Sequence, residues 1–345
     1  MTDSDDLLHS WSVAGLALVV VSTILTAAII KLLYPALVRI AVAHPNARSS
    51  HKAPTPQGAG IAVIASTTIL VALTIYLFPN LANDPSRIVS ILGAAILLAV
   101  VGAFDDIHAL DVLPRLLFQA LAISVVIAAL PSDLRIVPVL PWWFERALLL
   151  VGGLWFVNLV NFMDGIDSIT VAEVVPITAG LVFAGTMGSL PQEGIIVALA
   201  LLGSVIGFAP YNKPVARIFL GDVGSLPIGL LIFWLLTLLA GNGCLAAAIL
   251  LPLYYLADAS ITLLRRMAKG EPILQAHRTH FYQRAADRGF TVFEIVTRIF
   301  IVNLVLVALA LATIAWPSLI VAAVALAGGC IAVGLLLLTL TRGKS

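Results

Sequence analysis

The sequence predicts an all-α, polytopic integral membrane protein, and three observations support this class. Of its 345 residues, 61% are hydrophobic and 11% are charged, which is far from the composition of soluble proteins. The mean hydropathy is +1.09. Apolar stretches long enough to cross a bilayer recur along the chain, and helices satisfy every backbone polar group within lipid. We therefore expect one multi-pass membrane domain, residues 1–345.

Charged residues, prolines and glycines divide the chain into eleven apolar stretches, each near the length that a hydrocarbon core of about 30 Å demands. They lie near residues 12–34, 59–78, 88–104, 115–130, 145–161, 169–187, 194–209, 225–241, 244–264, 293–316 and 318–340. The sequence predicts about eleven transmembrane helices, with ten as the alternative. Asp3, Asp5 and Asp6 precede the first stretch in place of the basic region of a signal peptide, so we expect that stretch to remain as a helix.

Lysine and arginine residues are concentrated in alternate loops between these stretches. If the N-terminus lies outside, most of them fall on the inner side, whereas Arg87, Arg135 and Arg146 fall on the outer side. Positively charged loops favour the cytoplasm. We therefore expect the N-terminus to face out and the C-terminus to face the cytoplasm.

The overall charge excludes further classes of function. Nineteen Lys and Arg residues against eighteen Asp and Glu give a net charge of +1, so no global field attracts a polyanion and a nucleic-acid binder is excluded. Cys244 and Cys330 lie in separate apolar runs and form neither a disulfide framework nor a CxxC metal motif. Any anion must therefore be bound locally.

The first candidate site is the neighbouring pair Asp105 and Asp106, at the end of a predicted span. Adjacent carboxylates repel each other unless a cation lies between them. The pair therefore indicates a divalent-metal or acid–base site. The alternative is a solvated loop, in which acidic residues cost little.

A second cluster ends the span near 145–161. Asn158 and Asn161 are three residues apart and share one helix face, and Asp164 and Asp167 follow in the next turn. Gly165 is expected to supply a positive φ that brings this turn back toward the asparagines. An Asx-rich helix stop is the alternative, but it leaves two asparagines in an apolar helix unexplained.

A third cluster precedes the span near 225–241. Phe219 is followed by Gly221, Asp222, Gly224 and Ser225, and the glycines permit a phosphate to approach the positive end of the helix. Asp222 is a candidate Mg²⁺ ligand, because Mg²⁺ takes one or two carboxylates together with phosphate oxygens. The alternative is an ordinary N-cap, either Asp222 or Ser225.

Two basic loops lie on the same predicted face. The stretch 48–60 contains Lys52 and is bounded by glycines and prolines; it is a candidate phosphate clamp, but by itself it is better explained by the positive-inside topology. The later loop contains His277, Arg278 and His280. We expect this loop to bind an anion and not zinc, because no third His or Cys ligand is near and Arg278 opposes a cation. Together the clusters suit a magnesium-dependent transfer of a phosphorylated group onto a membrane lipid.

At these residues the sequence resembles the polyprenyl-phosphate N-acetylhexosamine-1-phosphate transferases of glycosyltransferase family 4, which include the phospho-MurNAc-pentapeptide translocases. It is most similar to the bacterial branch that initiates O-antigen and other surface polysaccharides. The likeness extends from Pro54-Thr55-Pro56 to the His-Arg-x-His-x-Tyr motif. Two positions depart from the usual pattern: Ala59 interrupts a glycine triplet, and Ser168 replaces the second glycine of Asp-Gly-x-Asp-Gly.

The resemblance implies a role for each candidate residue and Mg²⁺ as the cofactor, with Mn²⁺ as the alternative. Asp105 and Asp106 would be catalytic, acting as base, as nucleophile or in orienting the acceptor or metal, and Asn161 and Asp222 would be metal ligands. Phe219 would stack on uracil. The nucleotide and sugar would be bound by Lys52, Asn158, Asp164, Asp167, Phe219, His277, Arg278 and His280.

The implied reaction transfers an N-acetylhexosamine 1-phosphate from a UDP-sugar to undecaprenyl phosphate in a bacterial inner membrane and releases UMP. The sugar, the polysaccharide pathway and the choice between a monomer and a homodimer stay open. The rival class is a membrane carrier for nucleotide sugars or a proton-coupled solute, which needs ionisable residues near the bilayer midplane. Asp258 and Glu173 are the acids inside spans, and the clustering of the others at one face favours the enzyme.

Overall fold

The computed structural model describes residues 2–43, 54–272 and 278–342, with side chains described from residue 13 onward. Two predicted site residues, Lys52 and His277, lie outside the described residues. The described chain forms these helices: α1 (Thr2–Ile40), α2 (Gly60–Leu77), α3 (Pro85–Ile107), α4 (Val112–Ala129), α5 (Trp142–Met163), α6 (Ile169–Thr186), α7 (Gln192–Asn212), α8 (Asp222–Gly241), α9 (Leu245–Leu250), α10 (Leu253–Ala268), α11 (Phe281–Asp287), α12 (Val292–Ala315) and α13 (Leu319–Arg342). A 3-10 helix (Pro79–Leu81) and two short strands complete it.

The all-α membrane architecture is confirmed, and the number of long spans is the lower of the two predicted. Ten helices in the described ranges are long and apolar enough to cross a bilayer. The apolar stretch near 244–264 forms two shorter helices instead, α9 and α10, which are separated at Pro252. Proline lacks the N–H that a continuous helix would use at this position. The protein is therefore an integral membrane protein built around these helices.

Helix α8 is the centre of the bundle. Every residue from Val223 to Ala240 is buried, and α8 packs against α2, α3, α5 and α9. A helix that is apolar on all sides is expected to be enclosed by other helices. By contrast, only 17% of the most apolar part of α1 and 22% of that of α13 are buried.

Glycines allow α2 and α3 to approach the beginning of α8 closely. A Cβ atom on Gly60 would overlap the backbone of Gly224, and a Cβ on Gly102 would overlap the carbonyl of Asp222. Interior packing leaves no room to absorb such overlaps. The three backbones therefore meet at the end of α8 that carries Asp222.

A small sheet fixes the segment that leads into α2. Strand β1 (Val42–Ala43) pairs antiparallel with β2 (Thr55–Pro56), with Val42 opposite Pro56. The backbone N–H of Phe219 donates to the Pro56 carbonyl at 2.9 Å, and the N–H of Ala59 donates to the Phe219 carbonyl at 3.0 Å. Ala59 has φ −59°, which any residue adopts, so a methyl group interrupts the glycine triplet without backbone strain.

Candidate active site

Asp106, at the end of α3, caps the first turn of α8. Its Oδ1 accepts the backbone N–H of Asp222 at 2.9 Å, and its Oδ2 accepts that of Val223 at 3.1 Å. The alternative interpretation of Asp222 or Ser225 as an ordinary N-cap is therefore wrong: Gly221 is the N-cap residue, and the capping carboxylate comes from another helix. Gly221 has φ 78°, and a side chain there would overlap Asp106, so this glycine serves the capping contact.

Because Asp106 caps α8, the side chain of Asp222 is available for another partner. Asn161 Nδ2, at the end of α5, donates to Asp222 Oδ1 at 2.7 Å and to Ser225 Oγ at 2.9 Å. Asn161 and Asp222 are both half-buried. The structure thus brings together the two residues that the sequence predicts as metal ligands, although they are 61 positions apart.

Asp105 forms an ion pair with a residue of the next helix. Arg115 Nη1, in the first turns of α4, lies 3.1 Å from Asp105 Oδ2, and the N–H of Leu110 donates to Asp105 Oδ1 at 2.6 Å. The two aspartates therefore have different neighbours. Arg115 is a site residue that the sequence analysis counted only as a topology signal, and its place in the first turns of the next helix was the available clue.

Asn158 pairs with a residue that the sequence analysis did not select. Asn158 Nδ2 donates to Gln119 Oε1 at 2.6 Å, and Gln119 Nε2 donates back to Asn158 Oδ1 at 3.3 Å. Both side chains are buried. The two asparagines of α5 thus contact different helices, Asn158 contacting α4 and Asn161 contacting α8. A lone glutamine within an apolar span was the signal for Gln119.

Asp164 and Asp167 lie in the turn between α5 and α6. The Thr170 hydroxyl donates to Asp164 Oδ1, and the backbone N–H of Ala216 donates to Asp167 Oδ2 at 2.9 Å. Burial raises the pKa of Asp164 to about 6, and the negative charges of Asp106 and Asp167 act in the same direction. The turn therefore places Asp164 beside the capping carboxylate and ties Asp167 to the segment that precedes Phe219.

The left-handed residue of this turn is Ser168, with φ 62°, so the prediction that Gly165 supplies a positive φ is wrong. Ser168 is held by Asn212, whose Oδ1 accepts the Ser168 N–H at 2.7 Å and whose carbonyl accepts the Ser168 hydroxyl at 3.0 Å. Gly165 is required for a different reason. A Cβ there would overlap the hydroxyl of Tyr282, which donates to the Phe162 carbonyl at 3.1 Å.

The basic loop reaches the site through α11. Arg278 Nη2 lies 2.8 Å from Asp287 Oδ1, with 27% of the Arg278 side chain exposed. The ring of His280 is buried, and its Nδ1 lies 3.2 Å from Asp258 Oδ1. Arg278 is therefore partly exposed, whereas His280 is enclosed by protein. Phe219 is half-buried at the beginning of the segment that leads into α8.

The two acids that a carrier would use have partners inside the bundle. Asp258 accepts hydrogen bonds from the first residues of α11, such as the N–H of Phe281 at 3.0 Å. Glu173 Oε2 accepts Asn303 Nδ2 at 2.6 Å, which joins α6 to α12. Both acids thus link helices to each other.

Comparisons with known proteins show which family this segment of the chain is similar to. Residues 88–240 match the model of glycosyl transferase family 4. The chain is 27% identical over 291 residues to a probable undecaprenyl-phosphate N-acetylglucosaminyl 1-phosphate transferase of Bacillus subtilis (strain 168), covering 79% of this chain and 78% of that protein. It is 27% identical over 317 residues to a decaprenyl-phosphate N-acetylglucosaminephosphotransferase of Mycobacterium leprae (strain TN), covering 80% and 79%.

The family model and these relatives support the resemblance to the polyprenyl-phosphate sugar-phosphate transferase superfamily. A shorter similarity, 28% over 174 residues, relates it to a phospho-N-acetylmuramoyl-pentapeptide-transferase of Acinetobacter baylyi, covering 46% of this chain and 45% of that protein. The segment that matches the family 4 model contains most of the site. Its candidate residues are Asp105, Asp106, Asn158, Asn161, Asp164, Asp167, Phe219 and Asp222.

Proposed function

We propose that this protein transfers an N-acetylhexosamine 1-phosphate from a UDP-sugar to undecaprenyl phosphate. The observation that carries the proposal is the contact between Asn161 and Asp222, 2.7 Å apart at one end of the bundle and beside Asp106. Names of relatives from Bacillus subtilis and Mycobacterium leprae describe polyprenyl-phosphate N-acetylglucosamine phosphotransferases, which supports the same reaction class.

The residues at this contact fit Mg²⁺ as the cofactor. Asp222 offers a carboxylate and Asn161 an amide, and turning the amide over would direct its oxygen toward the same point. Mg²⁺ takes oxygen ligands and prefers one or two carboxylates together with substrate phosphates. Among the residues that the structure describes, no group of three or more His, Cys, Asp or Glu side chains is arranged to hold a metal ion by itself. Bound there, Mg²⁺ would neutralise the charge of the diphosphate.

The reaction forms one phosphorus–oxygen bond and breaks another. An oxygen of the lipid phosphate bonds to the β-phosphorus of the UDP-sugar, and the bond from that phosphorus to the bridging oxygen breaks, which releases UMP. The second pKa of a phosphate monoester is about 6, so the attacking group is largely dianionic at neutral pH and needs little base catalysis. Positioning and charge stabilisation therefore remain as the tasks of the protein.

The contacts of each residue suggest its part in this reaction. Asp106 holds the beginning of α8 in place and thereby fixes Asp222. Arg115 supplies a cation that balances Asp105 and that can bind a phosphate oxygen of the acceptor. Arg278, with its partly exposed guanidinium, can bind the diphosphate of the donor. His280 reaches the donor only if it moves out of its buried position.

The cellular setting is part of the same proposal. The distribution of lysine and arginine supports a site on the cytoplasmic face, where nucleotide sugars are made, with the N-terminus outside. The product, an undecaprenyl diphospho-sugar, would begin a surface polysaccharide of the O-antigen type. A single functional domain, residues 1–345, carries the reaction.

One experiment tests the proposal directly. Purified protein is incubated with undecaprenyl phosphate, Mg²⁺ and, one at a time, UDP-sugars labelled in the sugar, and the lipid is then extracted. We expect label in the lipid phase and one molecule of UMP for each labelled lipid, with neither product when EDTA replaces Mg²⁺. If label stays in the aqueous phase with every donor, the proposed function is wrong.

A further inference from the structure

A buried carboxylate in α10 holds the short helix α11 in place. Asp258 is fully buried, and its Oδ1 accepts the N–H of Phe281 at 3.0 Å while its Oδ2 accepts that of Tyr282 at 3.3 Å. These are the first two residues of α11, whose N–H groups have no partner within the helix. His280 Nδ1 also faces Asp258 Oδ1 at 3.2 Å, so this one side chain contacts three consecutive residues at the beginning of α11.

Helix α11 in turn contacts the end of α5 that carries Asn161. Tyr282 is fully buried, its hydroxyl donates to the Phe162 carbonyl at 3.1 Å, and Gly165 leaves the space that this hydroxyl occupies. The ring of Tyr282 stacks on that of His280, with 5.8 Å between ring centroids. A continuous set of contacts therefore leads from Asp258 to the residue next to Asn161.

The candidate donor-binding arginine moves with the same helix. Arg278 lies two residues before His280, and its guanidinium is 2.8 Å from Asp287 at the other end of α11. A shift of α11 would therefore displace Arg278 and His280 relative to Asn161 and Asp222. Displacements of about 1 Å are enough to lose much of the rate in a reaction that depends on positioning.

We propose that Asp258 is a positioning residue for the sugar-nucleotide donor: it fixes α11, and with it Arg278, against the Asn161 end of α5. This inference rests on the proposed function. Asp258 does not touch substrate and acts through the backbone of α11. It should affect the donor and leave the lipid acceptor alone, because no contact described for Asp258 leads to α4 and the Asp105–Arg115 pair.

The test compares Asp258→Asn with Thr262→Val. The asparagine keeps the size of the side chain but turns an N–H₂ group toward a backbone N–H, so at least one of the two backbone bonds is lost. The control removes only a 3.4 Å hydrogen bond from the Thr262 hydroxyl to the same carboxylate and leaves the α11 bonds intact. With UDP-N-acetylglucosamine and undecaprenyl phosphate varied in turn, we expect Asp258→Asn to raise the donor KM on the order of tenfold. The acceptor KM and both constants of Thr262→Val should stay near wild type.

Hydrogen–deuterium exchange without substrates provides a readout that does not depend on activity. The amides of Phe281 and Tyr282 should exchange on the order of tenfold faster in Asp258→Asn than in Thr262→Val. If Asp258→Asn does not fold, Tyr282→Phe takes its place, since it removes only the hydroxyl that reaches Phe162, and the same donor-selective effect is expected.

The outcomes separate this inference from the proposed function. An unchanged donor KM, or an equal loss for donor and acceptor, overturns the positioning role even when the wild-type protein is active. Unchanged exchange at α11 overturns it as well. If the wild-type protein transfers no sugar phosphate, the proposed function fails, and the exchange measurement still decides whether Asp258 holds α11.

Discussion

The side chain of Asp106 binds the backbone of Asp222: Asp106 Oδ1 accepts the N–H of Asp222 at 2.9 Å, while the Asp222 carboxylate contacts Asn161. Asp106 therefore stabilises the beginning of α8, and Asp222 is available to a ligand. This division makes the two acids experimentally distinguishable.

Asp106→Asn and Asp222→Asn should differ in their effect on stability. Replacing Asp106 turns an N–H₂ group toward one of two backbone N–H groups, which should cost about 1–3 kcal/mol of unfolding free energy as well as activity. Replacing Asp222 should lower turnover at least about 100-fold, or about 2.7 kcal/mol, and leave the thermal midpoint near wild type. Thermal unfolding in detergent and the transfer assay measure both. Asp222→Asn with more than about a tenth of the wild-type rate would contradict the metal assignment.

Gly102→Ala should lower stability and activity although Gly102 is not a site residue. The added methyl group would overlap the Asp222 carbonyl, so α3 and α8 must separate, at a cost of about 1–3 kcal/mol. Because α3 carries Asp106, we also expect the transfer rate to fall at least about tenfold. Gly93→Ala is the matched control on the same helix, since nothing lies within 4 Å of its added Cβ. Equal stability and activity of the two variants would mean that α3 and α8 do not meet as described.

The pair Gly165 and Tyr282 offers a rescue experiment. Gly165→Ala places a methyl group on the Tyr282 hydroxyl and should lower both the thermal midpoint and the transfer rate. Removing that hydroxyl makes room, so Gly165→Ala combined with Tyr282→Phe should be less damaged than the sum of the single changes predicts. A strictly additive result would show that the two residues do not touch.

Arg278→Lys tests donor binding by the basic loop. Lysine keeps the positive charge but loses the planar fork that binds two phosphate oxygens at once. We expect a loss of about 1–3 kcal/mol in kcat/KM for the UDP-sugar and little change for the lipid phosphate. As a control, Arg284→Lys changes a basic residue of the same region that the structure leaves exposed. If Arg278→Lys leaves the donor kinetics unchanged, Arg278 does not bind the donor, and the basic residues of this loop are explained by membrane orientation alone.

Single cysteines test the predicted orientation. After replacement of Cys244 and Cys330, cysteines at Ala109 and Lys213 should react with an impermeant maleimide only in opened cells. Cysteines at Asn80 and Ser132, on the opposite side of the bundle, should react in intact cells. All four positions are exposed. The reverse pattern would move the candidate site to the outer face.

The sequence predicted the class of fold because lipid leaves the backbone few alternatives. It could not predict which side chains of one helix bind the backbone or side chains of another. Hydropathy identified the long spans, yet the break at Pro252 depends on one missing N–H within an apolar run. The joint role of Asn161 and Asp222 was implied by the family resemblance, and their contact in the structure agrees with it. The capping of α8 by Asp106 did not, since nothing in the two local sequences distinguishes a cap from within the helix from one supplied by another helix.

The turn after α5 is a second case in which distant residues determine the local structure. Gly165 looked like the residue with a positive φ because glycine adopts it most readily. In the structure Ser168 has that conformation and is held there by Asn212, 44 positions away. Gly165 is instead explained by the bulk of Tyr282, which is farther still along the chain. Long-range packing decided both positions.

Because α8 is buried, we expect changes in bilayer thickness to affect it less than the outer helices. The helix that carries Asp222 is enclosed by protein along its whole apolar length, whereas α1 and α13 have mostly lipid-facing surfaces. When bilayer thickness differs from the length of the apolar spans, helices in contact with lipid tilt, or the bilayer thins or thickens locally. The cost is fractions of a kcal/mol per Å of mismatch. Such strain falls first on α1 and α13. The surrounding helices shield α8 from this strain. Asp222 can therefore keep the same depth and orientation in membranes of different thickness.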